Sequence, residues 1–471
     1  MGGSSLKKDG LFLKFIEFGL YELILFGSYY ISLTLDLFNG YDARNFEAFW
    51  ITIPWLMFAA LFVFLFVGLF STVNKSKSEN IAIISIAVTF LSVLYMALAF
   101  MLRSFALPRT VIMMAFLIQF FSFIAVKLIF IRLIRVLKGK RKIMIIGPEK
   151  DKEMLVSKIL TSRVYKERLT YYVDPISQPA YLKYVDRVEK IYLSDQVENN
   201  VKDKIITHCI SMDKSLYMIP KTFEIAIFNS SLIQVSDIPM FRIDSLYLSK
   251  ERMIMKRTFD LVLSFMMLII LLPIMAIVAL LILLTEGRPV LYRQERVTIN
   301  NKRFMLYKFR SMRKDAEKAT GAIWATENDP RVTSLGKVLR KFWLDELPQL
   351  FNVIKGDMSL VGPRPERPFF IDQFSKDIPD FQYRLSVKAG VTGLAQVLGK
   401  YATTPENKIK FDLLYIKNSS LIFDVKILFD TLKKIIVGTL KRGENKDLSY
   451  SEILKVRRFT EKKKDGVIEF H

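Results

Sequence analysis

Four long apolar stretches open the chain: Leu11 to Leu37, Phe49 to Thr72, Ile81 to Leu102 and Val111 to Ile131. A hydrocarbon core of about 30 Å needs about 20 helical residues at about 1.5 Å each, so every one of them can cross a bilayer. Glu17 and Glu22 interrupt the first stretch, which predicts either a start nearer Leu20 or carboxylates that face a bundle. Lys7, Lys8 and Lys14 precede the first stretch, Lys75 and Lys77 separate the second from the third, and Arg132, Arg135, Lys138 and Lys140 to Lys142 follow the fourth. The positive-inside bias then puts both ends of a four-span unit, residues 1–137, on the cytoplasmic side of the membrane.

From Lys142 to Tyr247 the pattern shortens. Apolar runs at Ile143–Gly147, Lys190–Leu193 and Leu216–Ile219, with helical stretches between them, predict parallel strands in a small α/β domain of Rossmann type over residues 138–250. The first strand ends Gly147-Pro148-Glu149-Lys150, one glycine where a dinucleotide fingerprint needs several, so a structural or dimerisation role is expected. Further on, Leu261 to Leu284 carries no charge and is long enough to span. Pro273 near its centre lacks an N–H and leaves two halves of about 12 residues, about 18 Å each, too short to cross alone. The basic chain beyond disfavours export. Residues 251–290 are therefore expected to form a kinked, re-entrant membrane hairpin, followed by an α-rich catalytic domain over 291–440 and a solvated basic tail over 441–471. Within that domain Val425, Leu428, Phe429, Leu432, Ile435 and Ile436 recur at helical spacing. Such an amphipathic helix suits the headgroup plane and a soluble core equally.

Composition sharpens this reading. The chain has 471 residues with 69 Lys+Arg against 46 Asp+Glu, a formal charge of +23, yet 51% of it is hydrophobic, which excludes a disordered chain. One cysteine, Cys209, and two histidines, His208 and His471, exclude an intrachain disulfide framework and a cysteine-rich zinc site. The cations are spread over lipid-facing and phosphate-directed segments without a nucleic-acid motif, so nucleic acid is not an expected partner.

Candidate chemistry gathers after the hairpin, in Tyr307-Lys-Phe-Arg-Ser-Met312, Asp329-Pro-Arg-Val-Thr333, Leu344-Asp-Glu-Leu-Pro-Gln-Leu350, Lys355-Gly-Asp-Met-Ser359 and Gly362-Pro-Arg-Pro365. Pro348 after Asp345-Glu346, and Gly356 after the apolar run that follows, predict a short helix with both carboxylates at its N-terminus, where the macrodipole keeps a carboxylate ionised. Arg310, Arg331, Arg340 and Arg364 lie in segments punctuated by proline or glycine, and guanidinium forks suit phosphate oxygens. A nucleophilic carboxylate, an oxygen site for Mg²⁺ at Asp345 and Glu346, and arginine clamps together suit phosphoryl transfer. There is no Walker sequence.

Those five motifs, in that order behind Lys256-Arg257, Asp260 and a Pro-broken apolar segment, resemble the bacterial sugar transferase family, the monotopic phosphoglycosyl transferases. The resemblance covers about Glu251 to Gly438, and the preceding segments resemble the large form that begins capsule, exopolysaccharide and O-antigen synthesis. It implies transfer of hexose-1-phosphate from a UDP-hexose to undecaprenyl phosphate with release of UMP, through a phosphosugar carried on Asp345. Glu346 would hold Mg²⁺ or take a proton, and Arg340 and Arg364 would bind phosphates. Lys256, Arg257 and Asp260 would fix the hairpin and face the lipid phosphate. Lys400 stands where many relatives have arginine, a point charge in place of a fork. A homodimer in contact with membrane lipids is implied as well. A transferase that moves the sugar alone would release UDP instead, and a membrane scaffold regulating polysaccharide assembly would not need Asp345.

Overall fold

A computed structural model describes residues 2–35, 43–70, 77–103, 108–138, 141–161, 167–175, 181–228, 230–243, 245–314, 316, 329–399, 403–440, 449–457, 459–464 and 467–470. Lys75, Lys140, Lys400 and His471 lie outside them. Two compact units result, one of residues 1–219 and 441–471, the other of residues 220–440.

In the first unit, α1 (Gly2–Thr34), α2 (Ala43–Val67), α3 (Lys77–Met101) and α4 (Arg109–Lys138) form a bundle in which α1 packs along α4. Of these, α2, α3 and α4 are long and apolar enough to cross a membrane. The polar residues of α1 keep it below that mark, and the structure shows where they point. Glu17 and Glu22 are both buried. Glu17 accepts a hydrogen bond from Lys127 Nζ of α4 at 2.9 Å and another from the Tyr21 hydroxyl at 3.1 Å. The carboxylates thus face the bundle.

After the bundle come β1 (Arg141–Ile146), α5 (Lys152–Thr161), β2 (Glu167–Val173), α6 (Leu182–Val185), β3 (Lys190–Leu193), α7 (Asn199–Ser211) and β4 (Ser215–Met218). The four strands are parallel, in the order β2-β1-β3-β4. Period-two alternation sends Met144 and Ile146 to one face, with Ile205 and Cys209, and Ile143 and Ile145 to the other, with Leu155 and Leu160. The expected solvated tail is corrected here. Strand Val467–Phe470 pairs antiparallel with β2, Glu461–Lys464 pairs outside it, and Val467, Ile468 and Phe470 are buried. The sheet is therefore mixed, and its edge is built from the far end of the chain.

The second unit holds α8 (Thr222–Ile227), a hairpin of β5 (Ser231–Val235) and β6 (Ile238–Arg242), α9 (Lys250–Glu286), a hairpin of β7 (Leu291–Val297) and β8 (Arg303–Phe309), α10 (Ser334–Lys341), α11 (Gln349–Lys355), β9 (Ser359–Val361), α12 (Pro368–Asp377), β10 (Gly390–Thr392), α13 (Leu394–Leu398), α14 (Pro405–Lys417) and α15 (Leu421–Leu440). Its main core joins β7 and β8 to α11, α14 and α15 through Phe304, Leu306, Val353, Leu413 and Ile427. Helix α15 buries Ile427, which lies outside the expected stripe, in this core; of the stripe, Leu428 packs against the core and Leu432 is exposed.

Helix α9 is the fourth element long and apolar enough to cross, and it runs through Pro273 as one helix. A single stripe of it is buried: Lys256, Asp260 and Ser264 before the proline, Met275, Val278 and Ile282 after it. The opposite face exposes Phe265, Ile269, Ile270, Ile277 and Leu284. Both halves of the helix pack on the same unit, the first half through Leu263 and Met267 on the main core and the second against Phe309 and Leu339.

Candidate active site

Asp345 and Glu346 lie in a single 3-10 turn, Leu344–Glu346, one step ahead of α11. Trp343 enters this turn in the left-handed region at φ 58°, a conformation costly for a bulky residue. Pro348 and Gly356 bracket α11 as expected, with Gly356 at φ 96°. The carboxylates, however, do not sit on free helix amides: the N–H groups of Glu346 and Leu347 donate to the carbonyls of Trp343 and Leu344. Side-chain cations control this turn instead.

Glu346 Oε1 accepts from Lys308 Nζ at 2.9 Å and from Arg364 Nη2 at 2.7 Å. Both cations come from elements that converge on the turn, Lys308 from β8 and Arg364 from the loop after β9. Burial works to raise Glu346, but Arg364 and then Lys308 outweigh it and hold the carboxyl well below the usual carboxylate range. Asp345 goes the other way: burial, then the charge of Glu346, pushes it up, against the pull of Lys308, Arg340 and Arg364. Asp345 makes no side-chain hydrogen bond among the described residues. One carboxylate is neutralised by two cations; its neighbour is buried, unshared and the stronger base.

The loop that carries Arg364 depends on close backbone approach. A Cβ on Gly390 would stand 2.1 Å from the Gly362 nitrogen, so only glycine lets β9 and β10 meet there. Gly336 plays the same part for α10, where a Cβ would lie 2.0 Å from the Ser311 carbonyl oxygen. The α10 residue Arg340 donates to Ser311 Oγ at 2.9 Å, and its charge reaches Asp345.

The other sequence-predicted cations stand elsewhere. Lys256 pairs with Asp424 at 2.6 Å. Arg257 donates to the carbonyls of Val353 and Ile354 at the end of α11, and Asp260 accepts from the Leu360 amide at 3.2 Å. Arg257 and Asp260 thus tie α9 to the segments on either side of Gly356, and Lys256 ties it to α15. Arg310 donates to the carbonyls of Glu286 and Gly287, capping α9. Arg331 closes a local pair with Asp329 at 2.6 Å, which draws that carboxyl down to about 2. Lys308 was the residue that sequence reasoning passed over: Arg310, two positions on in Tyr307-Lys308-Phe309-Arg310, drew the phosphate assignment. Alternation puts Lys308 and Arg310 on one face, and the fold alone decides which of them meets the carboxylates.

The bacterial sugar transferase family matches residues 251–438. Among curated relatives, a UDP-N-acetylgalactosamine-undecaprenyl-phosphate N-acetylgalactosaminephosphotransferase of Aeromonas hydrophila is 49% identical over 35% of this chain and 40% of its own. A UDP-glucose:undecaprenyl-phosphate glucose-1-phosphate transferase of Escherichia coli (strain K12) is 35% identical over 54% of this chain and 55% of its own. A putative undecaprenyl-phosphate N-acetylgalactosaminyl 1-phosphate transferase of Bacillus subtilis (strain 168) is 52% identical over 28% of this chain and 72% of its own. Against the first two, the chain spans about half of the relative's length.

Proposed function

The chain belongs to the bacterial sugar transferase family, and from that membership we propose that it transfers hexose-1-phosphate from a UDP-hexose to undecaprenyl phosphate, releasing UMP and starting synthesis of a surface polysaccharide. The observation that carries this reading is Asp345, a buried carboxylate without a side-chain hydrogen bond among the described residues, beside a carboxylate engaged by Lys308 and Arg364. Its oxygen attacks the phosphorus that bears the sugar. A carboxylate–phosphorus bond forms, the bond to the bridging oxygen breaks, and UMP leaves with the electron pair. An oxygen of undecaprenyl phosphate then attacks the same phosphorus and Asp345 departs as carboxylate. Arg364 and Arg340 bear on the phosphate oxygens, where fixed cations stabilise developing charge.

Mg²⁺ fits this site only in company with the donor's phosphates. No group of three Asp, Glu, His or Cys occurs among the described residues, and Glu346 is engaged by two cations. Asp345, with Glu346 beside it, would hold the ion in the manner of sites built from one or two carboxylates and substrate oxygens, and the ion would supply neutralisation of the pyrophosphate.

The membrane arrangement follows the same reading. A helix whose two halves pack on one domain while its other face is apolar and exposed suits re-entry into a single leaflet, with the active site beneath headgroups on the cytoplasmic face. The parallel order β2-β1-β3-β4 supports the Rossmann-type reading of the first unit's sheet. A homodimer completes the reading, and the β5–β6 hairpin, exposed at every residue, is available for it.

Incubating the protein with a radiolabelled UDP-hexose and no lipid acceptor is the test. Label retained on the chain with release of UMP is expected; release of UDP, or no nucleotide until undecaprenyl phosphate is added, would overturn the two-step route.

A further inference from the structure

Behind Arg364 lies a second charged cluster to which the reaction assigns no part. The turn Pro363–Glu366 has each of its four carbonyls held by a different donor. The Gly390 amide donates to Pro363 O at 2.9 Å, Arg384 Nη2 to Arg364 O at 2.8 Å, Arg296 Nη1 to Pro365 O at 3.0 Å and the Val297 amide to Glu366 O at 3.0 Å. Two of the four are guanidinium groups. Arg384 is 3% exposed and stands 3.0 Å from Asp412 Oδ2 of α14, itself 2% exposed, with its face over the Phe381 ring at 4.9 Å. Glu366 joins the two arginines, 3.6 Å from Arg296 and 4.0 Å from Arg384.

Burying this much charge for stability alone is a poor exchange, because desolvation offsets the attraction within such a pair. Its geometric yield is specific: Nη2 of Arg384 meets Asp412 and at the same time fixes the carbonyl of the very residue whose own fork grips Glu346 at the other end. We propose that Arg384, anchored by Asp412, is a positioning residue that holds the Arg364 turn in register with the Asp345–Glu346 pair. This rests on the phosphoglycosyl transferase reading given above and assigns a role that reading leaves open. Burial lifts Asp412 to about 6 against the pull of Arg384, so the anchor is ionised at neutral pH. Around it stand Arg384, Glu366 and Lys408, so the pair is not the sole charge in the cluster.

A double-mutant cycle on the full-length protein separates positioning from mere support. In the wild-type background, Arg384→Lys, which keeps the charge and removes the guanidinium nitrogen that meets both Asp412 and the Arg364 carbonyl, is expected to lower kcat about 10- to 100-fold, the scale of a misplacement near 1 Å, with the donor KM changed less than about threefold. In an Arg364→Ala background the same substitution is expected to cost nothing further. Full kcat for Arg384→Lys, or an equal loss in both backgrounds, overturns the proposal. If Arg384→Lys does not fold, Arg296→Lys, which loosens the neighbouring carbonyl, enters the same cycle; if that also unfolds, the cluster serves the fold and the proposal fails. A wild-type protein that releases no UMP from any UDP-hexose would instead overturn the underlying function.

Discussion

Two buried ionic clusters, one in the helix bundle and one in the catalytic unit, use the same ingredients to opposite effect. In the bundle a single carboxylate, Glu17, meets a single ammonium, Lys127, and both are further satisfied, by the Tyr21 hydroxyl and the Leu69 carbonyl. That cluster is closed. In the catalytic unit two adjacent carboxylates meet two contacting cations, but Glu346 takes both, and Asp345 is left with a raised proton affinity and no hydrogen bond among the described residues. On the route proposed above, the uneven division is what sets the reactive carboxylate apart from a structural one. Neither burial nor net charge makes the distinction.

Substitutions can break this contrast, and the largest effect belongs to the unshared carboxylate. Asp345→Asn is expected to lower UMP release at least ~10⁴-fold while leaving the fold intact, because a neutral amide cannot form the phosphosugar ester. Nucleotide release at the wild-type rate would remove Asp345 from the chemistry. Glu346→Gln should reduce kcat about 100-fold, since Lys308 and Arg364 lose the anion that orients them. Lys308→Met should cost about 10- to 100-fold and would establish the cation that the motif reading passed over; unchanged turnover would make it a spectator.

The pH profile sharpens the comparison further. On the proposed route Asp345 attacks as the carboxylate, and its carboxyl lies above the usual value of about 3.9, so kcat/KM should fall as pH drops through that raised value. Glu346, held low, adds no limb. In Glu346→Gln a like charge is gone and two cations are freed, so the limb of the residual activity should move to lower pH; a limb that stays or rises contradicts the division of charge described here. The smallest expected effect on catalysis comes from the bundle. Glu17→Gln or Lys127→Met alone should destabilise it by about 3–5 kcal/mol, as breaking one side of a buried pair does, whereas replacing both by apolar residues should be nearly neutral. Thermal unfolding in detergent reads the stability, and UMP release from the folded variants should be unchanged.

The apolar runs made most of the helices and three of the parallel strands legible, because burial on one or both faces writes a period into the chain. Asp345, Glu346 and Arg364 were legible too, each within a short segment fixed by proline or glycine. What stayed hidden depended on distant partners. Lys256 and Arg257, expected to fix the membrane hairpin and face a lipid phosphate, meet Asp424 and the carbonyls of α11, partners that no local pattern announces. Arg384 and Asp412 sit in no motif, and nothing local ties them to the loop they hold. The strand Val467–Phe470 is too short, and follows too many lysines, to look like part of a sheet whose other members lie far ahead of it.

That last pairing has a consequence for how the protein is made. Between β2 and the strand that covers its edge, the ribosome must add about 290 residues, and at about 5–20 residues per second this takes roughly 15 to 60 s. Throughout that interval the growing polypeptide offers an open, hydrogen-bond-hungry flank to its neighbours on the same messenger, so nascent copies need either a chaperone or distance from one another until the closing segment emerges.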